Sequence, residues 1–127
     1  MEDKNEIKIE YTFNTSPKVL YYRLSSPSGL SEWFCDDANL QDGIYTFFWD
    51  NAEQQAKLIS KKENAFIRFQ WLEDDGTDYY FEFRIAKDEL TGDVALHVID
   101  FAEDDEKEDT IELWNTQFSS LKHSLGL

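Results

Sequence analysis

Residues 94–125 read VALHVIDFAEDDEKEDTIELWNTQFSSLKHSL, and the hydrophobic period changes inside this stretch. From Val94 to Phe101 it is two, with Val94, Leu96 and Val98 on one face and His97 on the other, as in a strand with one buried side. From about Asp104 it becomes helical. Ile111, Trp114, Phe118, Leu121 and Leu125 recur at spacings of three and four and form one apolar stripe. Asp104, Asp105, Glu106, Glu108 and Asp109 crowd the start of this helix, where its dipole favours negative charge. Lys122 and His123 lie near its end, where the dipole favours cations, and Gly126 stops it. A long helix with a single apolar stripe needs an apolar surface to lie on.

The residues upstream supply that surface. Glu6–Phe13 alternates, with Ile7, Ile9, Tyr11 and Phe13 on one side. Ile44–Trp49, Glu53–Lys61, Ala65–Leu72 and Asp78–Ala86 read as four more strands, apart from the one ending at Phe101. In the strand starting at Ala65, Ile67, Phe69 and Trp71 face one way and Arg68 and Gln70 the other. In the strand from Asp78, Tyr79, Phe81, Phe83 and Ile85 face one way, and Tyr80, Glu82 and Arg84 the other. The turns between strands are short: 62–64, Asp74-Asp75-Gly76 and Thr91-Gly92-Asp93. Consecutive strands on tight turns predict an antiparallel meander.

Between the first strand and this meander, Ser16-Pro17 reads as a helix cap with proline in the first turn, opening a helix to about Leu24. The Ser25–Gly29 run is expected to break it, with a second short helix over Leu30–Phe34. Asp36-Asp37 and Asp42-Gly43 are read as bracketing a loop. The expected order is strand, two short helices, five strands and a long helix. The predicted class is α+β, a curved antiparallel sheet gripping the C-terminal helix, in a single domain over residues 1–127.

Twenty-seven acidic residues against twelve Lys plus Arg leave a net charge of −15. Nucleic-acid binding needs a basic footprint, so that class is excluded, and docking on anionic membranes is disfavoured. No apolar run approaches a membrane span, and the charged N-terminus has no signal-peptide core, so the cytoplasm is the expected location. One cysteine, Cys35, rules out an internal disulfide and a cysteine-rich zinc site. Its neighbours Asp36 and Asp37 disfavour the thiolate.

Three local patterns resemble the START-like superfamily, also called SRPBCC, with its helix-grip fold, and in particular its heat-shock-protein ATPase activator-like branch with bacterial START-like members. Residues 14–20 followed by Leu30-Ser31-Glu32-Trp33-Phe34 resemble that family's Ser-Pro-capped helix and its leucine–tryptophan turn. Asp42-Gly43-Ile44-Tyr45-Thr46-Phe47 resembles its glycine-started strand. Leu113-Trp114 through Leu121-Lys122 and Leu125 resembles its last helix. The resemblance implies a fold whose members bind lipids, sterols, hormones or polyketides, cyclise polyketides, or act as co-chaperones. The chain departs from the family near the end of the strand from Val94. Many relatives carry a histidine there; here the matching stretch is Val98-Ile99-Asp100-Phe101, and His97 lies on the opposite face.

No nucleophile motif surrounds His97 or His123, and the acidic run 103–109 lacks the ligand spacing and glycine of a calcium loop, so no catalytic residue, metal site or cofactor is assigned. The set that carries a functional reading is aromatic. Phe69, Trp71, Tyr79, Phe81 and Phe83 on adjacent strands, with Leu96 and Val98, should meet Trp114, Phe118 and Leu121 of the helix. If the grip stays open, these residues line a cavity for a hydrophobic or amphipathic small molecule, bound without catalysis. If it is filled, the expectation becomes a co-chaperone-like module that meets a protein partner through its acidic surface. A cyclase or hydrolase is the weakest reading, for want of an acid–base pair. Monomer and homodimer both fit the sequence.

Overall fold

The computed structural model describes residues 3–127. β1 (Asn5–Phe13) is followed by α1 (Pro17–Ser25) and α2 (Pro27–Leu30). Six strands come next: β2 (Asp37–Gln41), β3 (Ile44–Trp49), β4 (Ala52–Lys62), β5 (Phe66–Trp71), β6 (Phe81–Lys87) and β7 (Val94–Ala102). α3 (Lys107–Ser124) closes the chain after a 3-10 turn over Asp104–Glu106. The strands form one antiparallel sheet in the order β1-β7-β6-β5-β4-β3-β2. β2 to β7 are thus a meander, and β1 adds itself beside β7 through nine paired positions, Asn5 to Ala102 through Phe13 to Val94. This is the predicted helix-grip architecture.

Three boundaries differ from the sequence reading. The segment expected to be a loop, Asp37–Gln41, is the edge strand β2. It has no apolar alternation because nearly all of it is exposed, so periodicity carried no signal. The informative feature was the turn: Asp42 and Gly43 both have positive φ, 52° and 77°, the backbone of a two-residue hairpin. Six strands therefore follow the helices instead of five. Second, the run expected to break the helices starts α2. Ser26 ends α1, its N–H donating to Tyr22 O at 3.1 Å, and also caps α2, its Oγ accepting from Gly29 N at 2.9 Å. α2 ends at Leu30, and residues 31–34 are a turn instead of a helix. Third, β6 begins at Phe81, not at Asp78, so Tyr79 precedes the strand.

The two short helices are fixed to the sheet by a few bonds. Tyr45 of β3 donates its hydroxyl to Ser25 O at 2.6 Å, and burial pushes that phenol up to about 12. Arg23 reaches from α1 to Ser124 at the end of α3, Nη1 to Oγ 2.8 Å, and its Nε meets Glu32 at 3.0 Å. α1 and α2 approach so closely at Gly29 that a Cβ there would overlap the carbonyl oxygen of Tyr22 and crowd the backbone of Arg23. Both obstacles are backbone and cannot swing away. Gly29→Ala is therefore expected to lower stability by about 1–3 kcal/mol, the usual cost of overpacking, in chemical denaturation; a loss within ~0.5 kcal/mol, as at an ordinary surface site, would show that the two helices can separate freely.

Candidate functional site

The inner face of the sheet presents Phe13, Tyr45, Phe47, Ile67, Phe69, Phe81, Phe83, Leu96 and Val98, all of them buried. α3 lays Trp114, Phe118 and Leu121 on this face. Phe69 stacks on Phe81 at 4.9 Å, and Phe81 lies 6.1 Å from Trp114. Phe83 meets Trp114 and Phe118 edge-on at 5.5 and 5.9 Å, and Trp71 leans on Phe81 at 4.9 Å. Nine of the ten residues singled out in the sequence are thereby brought together. Tyr79 is the one that is not. Its ring meets Phe101 at 5.5 Å, on the outer side of β7, and its hydroxyl accepts from Lys4 N at 3.0 Å. The alternation that placed it inward does not extend past the start of β6.

Two residues outside that set occupy the middle of the grip. Trp33 and Phe34, in the turn after α2, point between sheet and helix. Trp33 stacks on Phe118 at 5.1 Å and touches Phe83 at 5.9 Å. Phe34 stands edge-on to Phe47 at 4.9 Å and parallel to Trp114 at 6.3 Å. The polar edges of this insertion are satisfied. Trp33 Nε1 donates to Arg23 O at 2.8 Å, and Trp49 Nε1 donates to Phe34 O at 3.1 Å. The sequence signal for them was the leucine–tryptophan turn itself; reading residues 30–34 as a helix obscured that both rings turn inward.

Above this insertion lies an open cleft of about 470 Å³, lined by Ser31 to Asp36, Trp49, and Gln117 and Ser120 of α3. Its floor is the outer edge of Trp33 and Phe34. Cys35 is buried beside it. Burial, with the nearby carboxylates of Asp37 and Asp36, pushes its thiol up to about 11, so it is a poor nucleophile at neutral pH.

One turn earlier in α3, Trp114 Nε1 donates to Asp100 Oδ2 at 2.8 Å. Asp100 is on the inner face of β7, in the stretch where the resemblance expects a histidine. Burial pushes its carboxyl above the usual carboxylate range, opposed by the bonds from Trp114 and from Phe101 N. His97 is on the outer face, as its phase predicts, 3.8 Å from Glu10 of β1. Arg68, Arg84 and Glu82 also face outward, yet Glu82 is only 1% exposed because the two arginines lie over it. Arg68 Nε and Arg84 Nε bond its two oxygens at 2.8 and 3.0 Å, and their guanidiniums stack on Tyr80 and Phe66. Paired in this way, a buried carboxylate is tolerable.

Residues 1–127 match the family model for a START-like superfamily domain, and the chain belongs to that superfamily. Its members bind hydrophobic ligands or act in interactions. A solved structure from Bacteroides fragilis is 39% identical over 98% of this chain and 93% of its own, with a TM-score of 0.72. The Aha1 dimer from Colwellia psychrerythraea is 16% identical over 95% and 92%, with a TM-score of 0.71. A protein from Mesorhizobium loti is 14% identical over 96% and 97%, at 0.75; these last two share the fold. Among curated proteins none matches the sequence. Among the described residues, no helix is long and apolar enough to cross a membrane.

The packing predicts that Trp114→Ala loses about 3–5 kcal/mol in chemical denaturation, as for other buried aromatic truncations. The Trp114–Asp100 bond predicts more. Trp114→Phe keeps a ring but removes the donor that lowers the carboxyl's pKa, so the Asp100 pKa should rise further when followed by carboxyl NMR. Because the folded value lies above the unfolded one near ~3.9, the stabilisation linked to Asp100 is full below the unfolded value. It is lost as pH rises through the folded value. An Asp100 that titrates at or below the unfolded value would contradict its burial.

Proposed function

We propose that this chain is a non-enzymatic protein-interaction module, co-chaperone-like, that keeps its grip filled and meets its partner through acidic surface. The observation that carries this reading is the insertion of Trp33 and Phe34. Their rings occupy the space between sheet and α3 that a ligand of the expected kind would need. Polar surface on the same molecule is abundant and predominantly acidic. Asp104, Asp105, Glu106, Glu108, Asp109 and Glu112 are all exposed along the start of α3. A rigid filled core makes a good platform for such a surface, because binding then orders no part of the domain. The partner this surface fits is basic, since opposite potentials raise the encounter rate. The likeness to Aha1 in fold agrees with such a role without specifying it.

A second reading has its own support. The cleft above Trp33 and Phe34 has ligand size, and a swing of residues 31–36 would join it to the aromatic layer beneath. In that case Phe69, Trp71, Phe81, Phe83, Leu96, Val98, Trp114, Phe118 and Leu121 are the cavity walls, and Tyr79, on the outer side of β7, is not among them.

One pair of measurements separates the readings. The interaction module should not take up a fluorescent fatty acid, and Asp104→Asn with Asp105→Asn should weaken capture of its partner from the host far more than it lowers the melting temperature, the small thermal loss reflecting the Asn5–Asp104 bond and the dipole of α3. Saturable uptake of the fatty acid at one site per chain, weakened by Phe81→Trp and indifferent to the two asparagines, would establish the ligand-binding reading instead.

A further inference from the structure

β1 is the terminal strand of the sheet, so one side of its backbone has no strand beside it. It pairs with β7 at nine consecutive positions, without a bulge, and contains neither proline nor glycine. Uncovered edges of this length are usually blunted by one of those devices or by charged side chains, which keep a second strand away where like charges meet. The outward row of β1 instead alternates in sign. Glu6, Lys8 and Glu10 are exposed there, with side-chain exposures of 43%, 71% and 64%. The opposite row is Ile7, Ile9, Tyr11 and Phe13, of which Ile9 and Tyr11 are half-buried at the rim of the core.

We propose that β1 is a self-complementary edge through which two copies of this chain join, antiparallel and about a two-fold axis at Ile9. In an antiparallel pair, residues directly opposite point to the same face. With Ile9 opposite Ile9 of the second copy, Lys8 faces Glu10 of the second copy and Glu10 faces its Lys8. On the inner face, Ile7 faces Tyr11 of the second copy. Asn5 faces Phe13, so all nine residues of the strand are paired. Opposite charges in such pairs stabilise an antiparallel ladder, and like charges destabilise it.

The neighbouring registers fail on charge. With Lys8 on the axis it faces Lys8, and Glu6 faces Glu10; with Glu10 on the axis the two Glu10 side chains face each other. A register with Ile7 on the axis opposes Lys8 and Glu6, but pairs only residues 5–9. It would also draw on Lys4, which is held beside Asp74 at 3.8 Å and over the Tyr79 ring. Lys8 and Glu10 are more exposed than Lys4, and meet Glu6 at 3.4 Å in the same strand and His97 at 3.8 Å across the ladder. The resulting interface is isologous and closes at two copies.

The test is sedimentation equilibrium at physiological salt, where charges more than ~8 Å apart are screened and the repulsion between two acidic molecules is small. The native chain should dimerise within reach of about 1 mM, the weak end of specific association. Lys8→Glu and Glu10→Lys should each weaken self-association at least about tenfold, because each places like charges opposite one another twice. Mixed in equal amounts, the two variants should form a heterodimer. The double swap Lys8→Glu with Glu10→Lys should restore the homodimer. Both side chains are exposed, so all variants should melt as the native chain does. A native chain that stays monomeric throughout this range, or a dimer indifferent to these exchanges, would overturn the proposal.

Discussion

The fold depends on burying one stripe of one helix. Trp114, Phe118 and Leu121 are almost wholly removed from water and share one core cluster with residues of β1, β3, β5, β6 and β7. A fully buried side chain of this size contributes about 1.5–3 kcal/mol of transfer free energy, enough for three of them to be a large part of a typical domain's net stability. The sheet must therefore curve around α3 and keep an aromatic face toward it. That requirement explains why the inward positions of β3, β5 and β6 are rings, apart from Ile67 and Ile85, while their outward positions include Thr46, Gln70, Arg68 and Glu82.

The grip creates a second constraint. A helix resting on a curved sheet leaves a wedge of space at the end where the short helices cross over. Here Trp33 and Phe34 fill it. They are held by the carbonyl of Arg23 on one side and the indole of Trp49 on the other, so the insertion leaves no polar edge unpaired. The same two rings that complete the core bear on both functional readings. A molecule that entered the layer would have to displace them, while one that docks on the surface would find them as a rigid support.

Charge acts outside this core and separately from it. The acidic excess is spread over exposed turns and the start of α3. The few arginines are used structurally, as at Glu82, where two guanidiniums cover a carboxylate on the open face of the sheet. The edge strand β1 is a different case, since its charges alternate with strand periodicity and so carry register information.

The sequence alone determined the architecture. The change of period from two to 3.6 near Asp104, the alternation in five strands and the Ser-Pro cap of α1 are local patterns tied to burial, and they needed no knowledge of contacts. The outward phase of Arg68, Glu82, Arg84 and His97 was legible for the same reason. Tertiary structure decided what local pattern could not encode. β2 is exposed apart from Ala38 and has no apolar alternation, so pairing makes it a strand. Tyr79 follows the alternation of β6 but lies before the strand, where Phe101 and Lys4 hold it. Above all, whether the grip is open or filled depended on where Trp33 and Phe34 point, and a turn's direction is set by the walls it packs against. Void volume is a property of the assembled packing, and no single segment contains it.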